Sequence, residues 1–258
     1  MTDAGAPAWA DGFVRAIRAG VATDVGRVRE QNEDAAFSAG AIHVVADGMG
    51  GHAAGEVASA IAAATLGELA ERTDLSVDDI VAQVGEANRR IVAASLAEPR
   101  HWGMATTLTG VALLGPETTE YAAAPRWVVV NLGDSRVYRY AAGDLTQVTV
   151  DHSEVQELVD RGYLTADEAR VHPMRHTVTR SLGRDRVPVV DSWVLPAVVG
   201  ERLLVCSDGL TNECLDAELA GVLGAEADVQ AAADELARRA VANGGHDNVT
   251  VIVLELGD

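Results

Sequence analysis

Val44-Val45-Ala46-Asp47-Gly48-Met49-Gly50-Gly51-His52-Ala53-Ala54-Gly55-Glu56 is an apolar run that stops at an Asp-Gly pair, crosses a glycine-rich turn and opens into an alanine-rich stretch. The run before the turn reads as a buried strand over 41–46, and 55–72 reads as a helix with an Ala/Leu/Ile face. The pattern of a carboxylate at a strand end beside small or polar residues recurs further along. It is found in Asn131-Leu132-Gly133-Asp134-Ser135, in Leu204-Val205-Cys206-Ser207-Asp208-Gly209 and in Gly244-Gly245-His246-Asp247-Asn248, the last just before a strand. A lone Asp-Gly is ordinarily a turn. Four such carboxylates, with almost no histidine or thiol among them, form a donor set suited to hard divalent cations and point to metal-assisted hydrolysis.

The rest of the chain fits a globular enzyme. Its 258 residues are 48% hydrophobic, enough for one large domain with a sizeable core. The net charge of −19 argues against nucleic acid or an anionic membrane as partner. An anionic substrate then needs a local source of positive charge. All 20 basic residues are arginine, which leaves arginine as the fixed phosphate clamp. The two cysteines, Cys206 and Cys214, give no disulfide framework, and Cys206 in its apolar run reads as an inert buried thiol. The start of the chain lacks the pattern of a secretory leader and no apolar run reaches membrane-spanning length, so a cytoplasmic setting is expected.

Residues 1–19 read as an extension and 20–258 as one domain of mixed strands and helices. Ser76 with Asp79 three residues on marks the start of a second helix over 77–96. Strands follow at 106–114, 126–132, 135–141 and 144–149, which the short links suggest form an antiparallel meander. Residues 152–183 lose the strand pattern and carry two short helical pieces, as in an excursion that covers a site. Strands return at 187–195, 201–206 and 248–256, with helices at 215–223 and 228–243.

Other chemistries fail on single residues. Gly48-x-Gly50-x-x-Ala53 loosely matches a dinucleotide fingerprint, but Asp47 would put a carboxylate beside the pyrophosphate. An Asp-x-Asp nucleophile needs aspartate at Cys206, and a Cys-x5-Arg loop needs arginine at Asn212, so a covalent phosphoenzyme is disfavoured. In Arg29-Glu30-Gln31-Asn32-Glu33-Asp34, Arg29 offers a fork for a phosphoryl group and the carboxylates could hold water. His43, His101, His152, His172 and His176 read as surface or structural; His52, directly after the glycine turn, is the one to watch.

Taken together the segments resemble the metal-dependent PPM/PP2C-type serine/threonine protein phosphatases, in particular the bacterial ones. The pieces run in family order from Thr23–Asp34 through Val45–Glu56, Gly103–Leu108, Asn131–Arg136, Asp151-His152-Ser153, Ser181-Leu182-Gly183 and Cys206–Leu210 to Gly245–Thr250. The resemblance implies an α+β fold, a sandwich of two antiparallel sheets flanked by helices in four α-β-β-α layers. It implies two Mn²⁺ or Mg²⁺ ions and a third, weaker one. Asp47 is then the bridging carboxylate, with the Gly48 carbonyl on one ion and Asp208 and Asp247 on the other. Asp134 joins Asp208 at the third ion, Asp34 and Glu33 orient water, Arg29 clamps phosphate, and residues 152–183 are the flap. Some relatives carry a histidine where this chain has Met49, so His52 or a metal-bound water would protonate the leaving group. The implied reaction is direct attack of a metal-bridging water on phosphoserine or phosphothreonine. The implied partners of the monomer are phosphorylated proteins, kinases and their substrates. The alternatives are a phosphatase dedicated to an anti-sigma antagonist, or a catalytically silent binding module on the same scaffold.

Overall fold

Several strands bury both faces, which removes the alternation that normally marks a strand. In β3 (Ile42–Met49) the residues Ile42 to Ala46 are all at most 2% exposed. The computed structural model describes residues 17–50, 54–115, 124–186 and 188–257. It shows why: β3 has a second sheet on one side and helices on the other.

One sheet has the order β1 (Ile17–Asp24), β11 (Val249–Leu256), β10 (Arg202–Cys206), β7 (Arg136–Ala141), β8 (Asp144–Gln147). The other has β2 (Asp34–Ala39), β3, β5 (Leu108–Leu114), β6 (Arg126–Leu132), β9 (Asp191–Pro196), with the two-residue β4 (Ala105–Thr106) pairing with the end of β3. Every pairing is antiparallel. Helix α1 (Gly55–Gly67) covers the second sheet, and α2 (Val77–Ala97) packs against α1. Helix α7 (Val229–Asn243) covers β1 and β11. The interior is accordingly split. One cluster fills the space between the sheets and under α1 and α2; the other lies between the first sheet and its helices. This is the four-layer sandwich that the resemblance implies.

Start signals are local and appear where expected: Ser76 and Asp79 make a reciprocal capping box on α2. Long-range pairing decided the rest. Strand β1 draws Ile17–Ala19 into the sheet, although their composition placed them in the extension. The 135–149 strands do not continue a meander from β6. Strands β6 and β7 belong to different sheets, so the Gly133-Asp134-Ser135 turn crosses between layers. That crossing carries Asp134 to the end of the sandwich, where β2, β3 and β11 also present carboxylates. The excursion contains α3 (Glu154–Asp160) and α4 (Ala166–Val171) and returns through Leu182, which bridges to Thr106. A four-residue helix, α5 (Asp208–Thr211), follows β10 directly and precedes α6 (Asp216–Ala225).

Among the described residues no helix is long and apolar enough to cross a membrane.

Candidate metal centre

Asp34 opens β2 directly opposite Asp47 in the pairing with β3. Asp208 is the first residue of α5, Asp134 lies in the turn between layers, and Asp247 lies two residues before β11. Different strands thus deliver these groups to one end of the sandwich. A cleft of about 770 Å³ there is lined by Arg29, Glu33, Asp47, Gly48, Met49, Asp134, Asp208 and Asp247.

Backbone contacts hold this floor in place. Asp47 N–H donates to Thr107 Oγ1 at 2.9 Å, and the Asp47 carbonyl accepts from Thr107 N–H and Thr106 Oγ1, both at 2.9 Å. Gly48 N–H donates to the Glu33 carbonyl at 3.1 Å. The glycines of the two Asp-Gly pairs permit close backbone approach. A Cβ on Gly48 would lie 2.3 Å from the Gly55 carbonyl oxygen and 2.5 Å from that of Glu33. A Cβ on Gly209 would lie 2.0 Å from the Asn248 carbonyl oxygen.

Asn248 fastens the loop that carries Arg29 and Glu33. Its side chain accepts from Glu33 N–H at 2.8 Å and donates to the carbonyls of Val25 and Gln31 at 3.0 and 2.9 Å. Ser207 Oγ donates to Asp34 Oδ2 at 2.8 Å and accepts from Thr250 N–H at 2.9 Å. Neither role was legible beyond adjacency to Asp208 and Asp247. Arg29 donates to Asp247 Oδ2 at 2.8 Å, so its guanidinium stands at the cleft beside a carboxylate.

The electrostatics are those of crowded anions. Burial, then the charges of Asp34, Asp208, Asp134 and Asp247, push the Asp47 carboxyl well above the usual range. Burial, then Asp208 and Asp151, do the same to Asp134. Asp34 is pushed up to about 7, chiefly by burial and against the hydrogen bond from Ser207. Burial also raises Glu33, while the hydrogen bond to Asp247 raises Arg29.

Asp34 Oδ1 and Asp208 Oδ1 are buried without a hydrogen-bond partner. Such orphaned acceptors in an anionic cluster fit a hard cation. Among the described residues no three acidic, histidine or cysteine side chains converge on one point. The Gly48 carbonyl and the carboxylates of Asp47, Asp208, Asp247 and Asp134 are the groups available.

His52 falls outside the described residues. His176, read from the sequence as surface or structural, stands on the cleft wall with Nδ1 3.8 Å from Asp208 Oδ2. His152 is 5% exposed and lies within the structure rather than on its surface. Cys206 is fully buried and its thiol is pushed up to about 12 by burial, which fits an inert core residue.

A family model described as Protein phosphatase 2C matches residues 27–243. Over 247 residues the chain is 38% identical to the serine/threonine protein phosphatase PstP of Mycobacterium tuberculosis, covering 94% of this chain but 45% of that protein. The chain thus spans about half the length of this relative. It is 35% identical to the serine/threonine phosphatase stp of Listeria welshimeri, covering 90% of this chain and 93% of that one. Among solved structures, the catalytic domain of serine threonine protein phosphatase PstP in complex with two manganese ions superposes with a TM-score of 0.80 at 37% identity, covering 94% of this chain and 99% of that one.

Proposed function

The chain belongs to the protein phosphatase 2C family, and from that membership we propose that it hydrolyses phosphoserine and phosphothreonine in proteins with the help of Mn²⁺ or Mg²⁺. The observation that carries this reading is the cluster of carboxylates from separate strands, with orphaned oxygens on Asp34 and Asp208, in a chain of the phosphatase family. The manganese pair in the PstP catalytic domain supports the choice of metal.

In this reading Asp47, the Gly48 carbonyl, Asp208 and Asp247 would hold two cations. Asp134 and Asp208 hold a third, weaker one. The bound cations supply Lewis acidity toward the phosphoryl oxygens and make water a competent nucleophile near neutral pH. The protein supplies position. Asp34 Oδ1, buried and without a partner, is an acceptor that orients the attacking water, with Glu33 beside it. Arg29 lies at the cleft wall and offsets charge on the phosphoryl oxygens. Met49 at the cleft has no proton to give, so the leaving oxygen would take its proton from His52, from His176 on the cleft wall or from solvent. The reading extends to phosphorylated kinases and their substrates as targets, and to a cytoplasmic monomer.

The direct test is manganese titration of the chelator-treated chain, followed by assays on a chromogenic phosphomonoester and a phosphothreonine peptide. Hydrolysis of both should appear only with the metal. Manganese binding without turnover would favour a silent binding module. Arg29→Ala should raise KM for the phosphopeptide by roughly tenfold or more, the loss of one charged phosphate contact. Manganese affinity should change less, although Arg29 also touches Asp247. An unchanged KM removes the clamp role.

A further inference from the structure

We propose that His152 is a positioning residue: its imidazole fixes the turn that aims Asp134 into the cleft and ties that turn to both ends of the 152–183 excursion, coupling cation binding at Asp134 to the placement of the excursion. The inference rests on the reading of Asp134 as a cation ligand.

His152 holds Gly133, the residue before Asp134, from two sides. His152 N–H donates to the Gly133 carbonyl at 2.8 Å, and Gly133 N–H donates to His152 Nδ1 at 3.1 Å. An accepting Nδ1 puts the proton of the neutral ring on Nε2. Nε2 then donates to Asp191 Oδ2 at 3.0 Å, at the start of β9. Arg180, near the exit of the excursion, steadies the same carboxylate through Asp191 Oδ1 at 3.1 Å, with its NH1 3.2 Å from Nε2. The His152 carbonyl accepts from Thr179 N–H at 2.8 Å. One buried residue therefore joins the Asp134 turn, the entry of the excursion, its exit and an edge strand.

The exit is rooted in the site a second time. Leu182 exchanges two backbone hydrogen bonds with Thr106, at 2.9 and 3.3 Å. Thr106 Oγ1 in turn donates to the Asp47 carbonyl. Asn88, buried on α2, accepts from Gly183 N–H at 2.8 Å and holds the chain beyond. The middle of the excursion is far less embedded, with Tyr163 and Val171 73% and 78% exposed. A phosphoprotein leaning on that exposed part would act on a segment whose roots hold the backbone of two aspartates. Partners that orient metal ligands in this way are typically worth about 10–100-fold in metal affinity.

The test is calorimetric manganese titration of the metal-free full chain, with amide hydrogen exchange read in parallel. The parent and Asp134→Asn define the weaker, Asp134-dependent site. His152→Gln reaches toward Asp191 but leaves no acceptor at Nδ1, whereas His152→Asn keeps an acceptor there. His152→Gln should weaken that site by about tenfold or more, leave the tighter binding in place, and speed exchange at 133–135 and along 152–180 before any metal is added. His152→Asn should restore the affinity. Asp191→Ala, at a half-exposed position, removes the ring's anchor without disturbing the core and should weaken the same site. Equal losses in the Gln and Asn variants, or unchanged binding in both His152→Gln and Asp191→Ala, would overturn the proposal and leave His152 as a staple of the excursion. A parent that binds manganese with no Asp134-dependent component would instead overturn the reading of Asp134, and the coupling with it.

Discussion

Asp47→Asn should lower kcat/KM on a phosphopeptide by about three orders of magnitude, the scale of losing a preorganised charge at the reacting centre, while the metal-free protein melts at a higher temperature than its parent. Both effects have one origin. Asp47 is placed among Asp34, Asp208, Asp134 and Asp247, and burial with those charges pushes its carboxyl well above the usual range. An amide keeps the shape and loses the charge. On the proposed assignment it would no longer hold the cations, and it no longer repels its neighbours. The pH dependence follows from the raised values. A carboxyl that titrates higher in the folded than in the unfolded state favours folding below its unfolded value, near pH 4, and that contribution is lost as pH rises through the folded value. For Asp34 the loss is complete above about 7. The metal-free parent should therefore lose stability between pH 4 and about 7, Asp47→Asn should lose less, and manganese should return it to the parent only. Thermal melts at two pH values, with and without manganese, together with turnover assays, read all of this. Near-normal manganese-dependent turnover in Asp47→Asn, or in the companion Asp208→Asn, would show that the site is assigned wrongly.

The second large effect is on stability alone. Arg202→Ala should cost about 4 kcal/mol, the range for breaking a buried charge pair, and lower the melting temperature by roughly 10 °C for a chain of this size. Arg202 is 8% exposed on β10. Its Nε donates to Glu255 on β11 at 2.7 Å, and its other nitrogens donate to the carbonyls of Leu223, Glu226 and Ala227. It thus satisfies the end of α6 and the turn into α7 while neutralising Glu255. Alanine leaves those carbonyls without their donor and Glu255 with only the exposed Arg18 as partner. Arg202→Met keeps the apolar stem and separates packing from charge. A melting temperature within about 2 °C of the parent would mean that solvent replaces these bonds without loss. Turnover per folded molecule should not change, since Arg202 is remote from the cleft.

How far the sequence was legible depended on the range of the cause. Ser76 and Asp79 start α2 as expected because a cap is an interaction across three residues. Strand 126–132 matched to the residue because its apolar run is bounded by Pro125 on one side and the Gly133-Asp134-Ser135 turn on the other. Strand β1 was missed because Ala19, Gly20 and Ala22 carry little strand preference of their own; β11 supplies their partners more than two hundred residues away. The meander expected after β6 failed because a short link looks the same within a sheet and between sheets. His152 read as structural or surface, and only its placement beside Gly133 and Asp191 gave it a task.

What the sequence determined by itself was the chemistry of the donors: aspartates beside small residues, no lysine, no usable nucleophilic thiol, and a family pattern that their order made specific. Those properties belong to residue types and short spacings, which survive in an unfolded chain. What the tertiary structure decided was which of these groups meet. Asp34 faces Asp47 only through strand register, Asp134 arrives only because the chain changes sheets after β6, and Asn248 pins the Arg29 loop only across the full length of the chain. Their meeting depends on long-range pairing and burial, whose free energy is shared among distant segments and leaves no local mark.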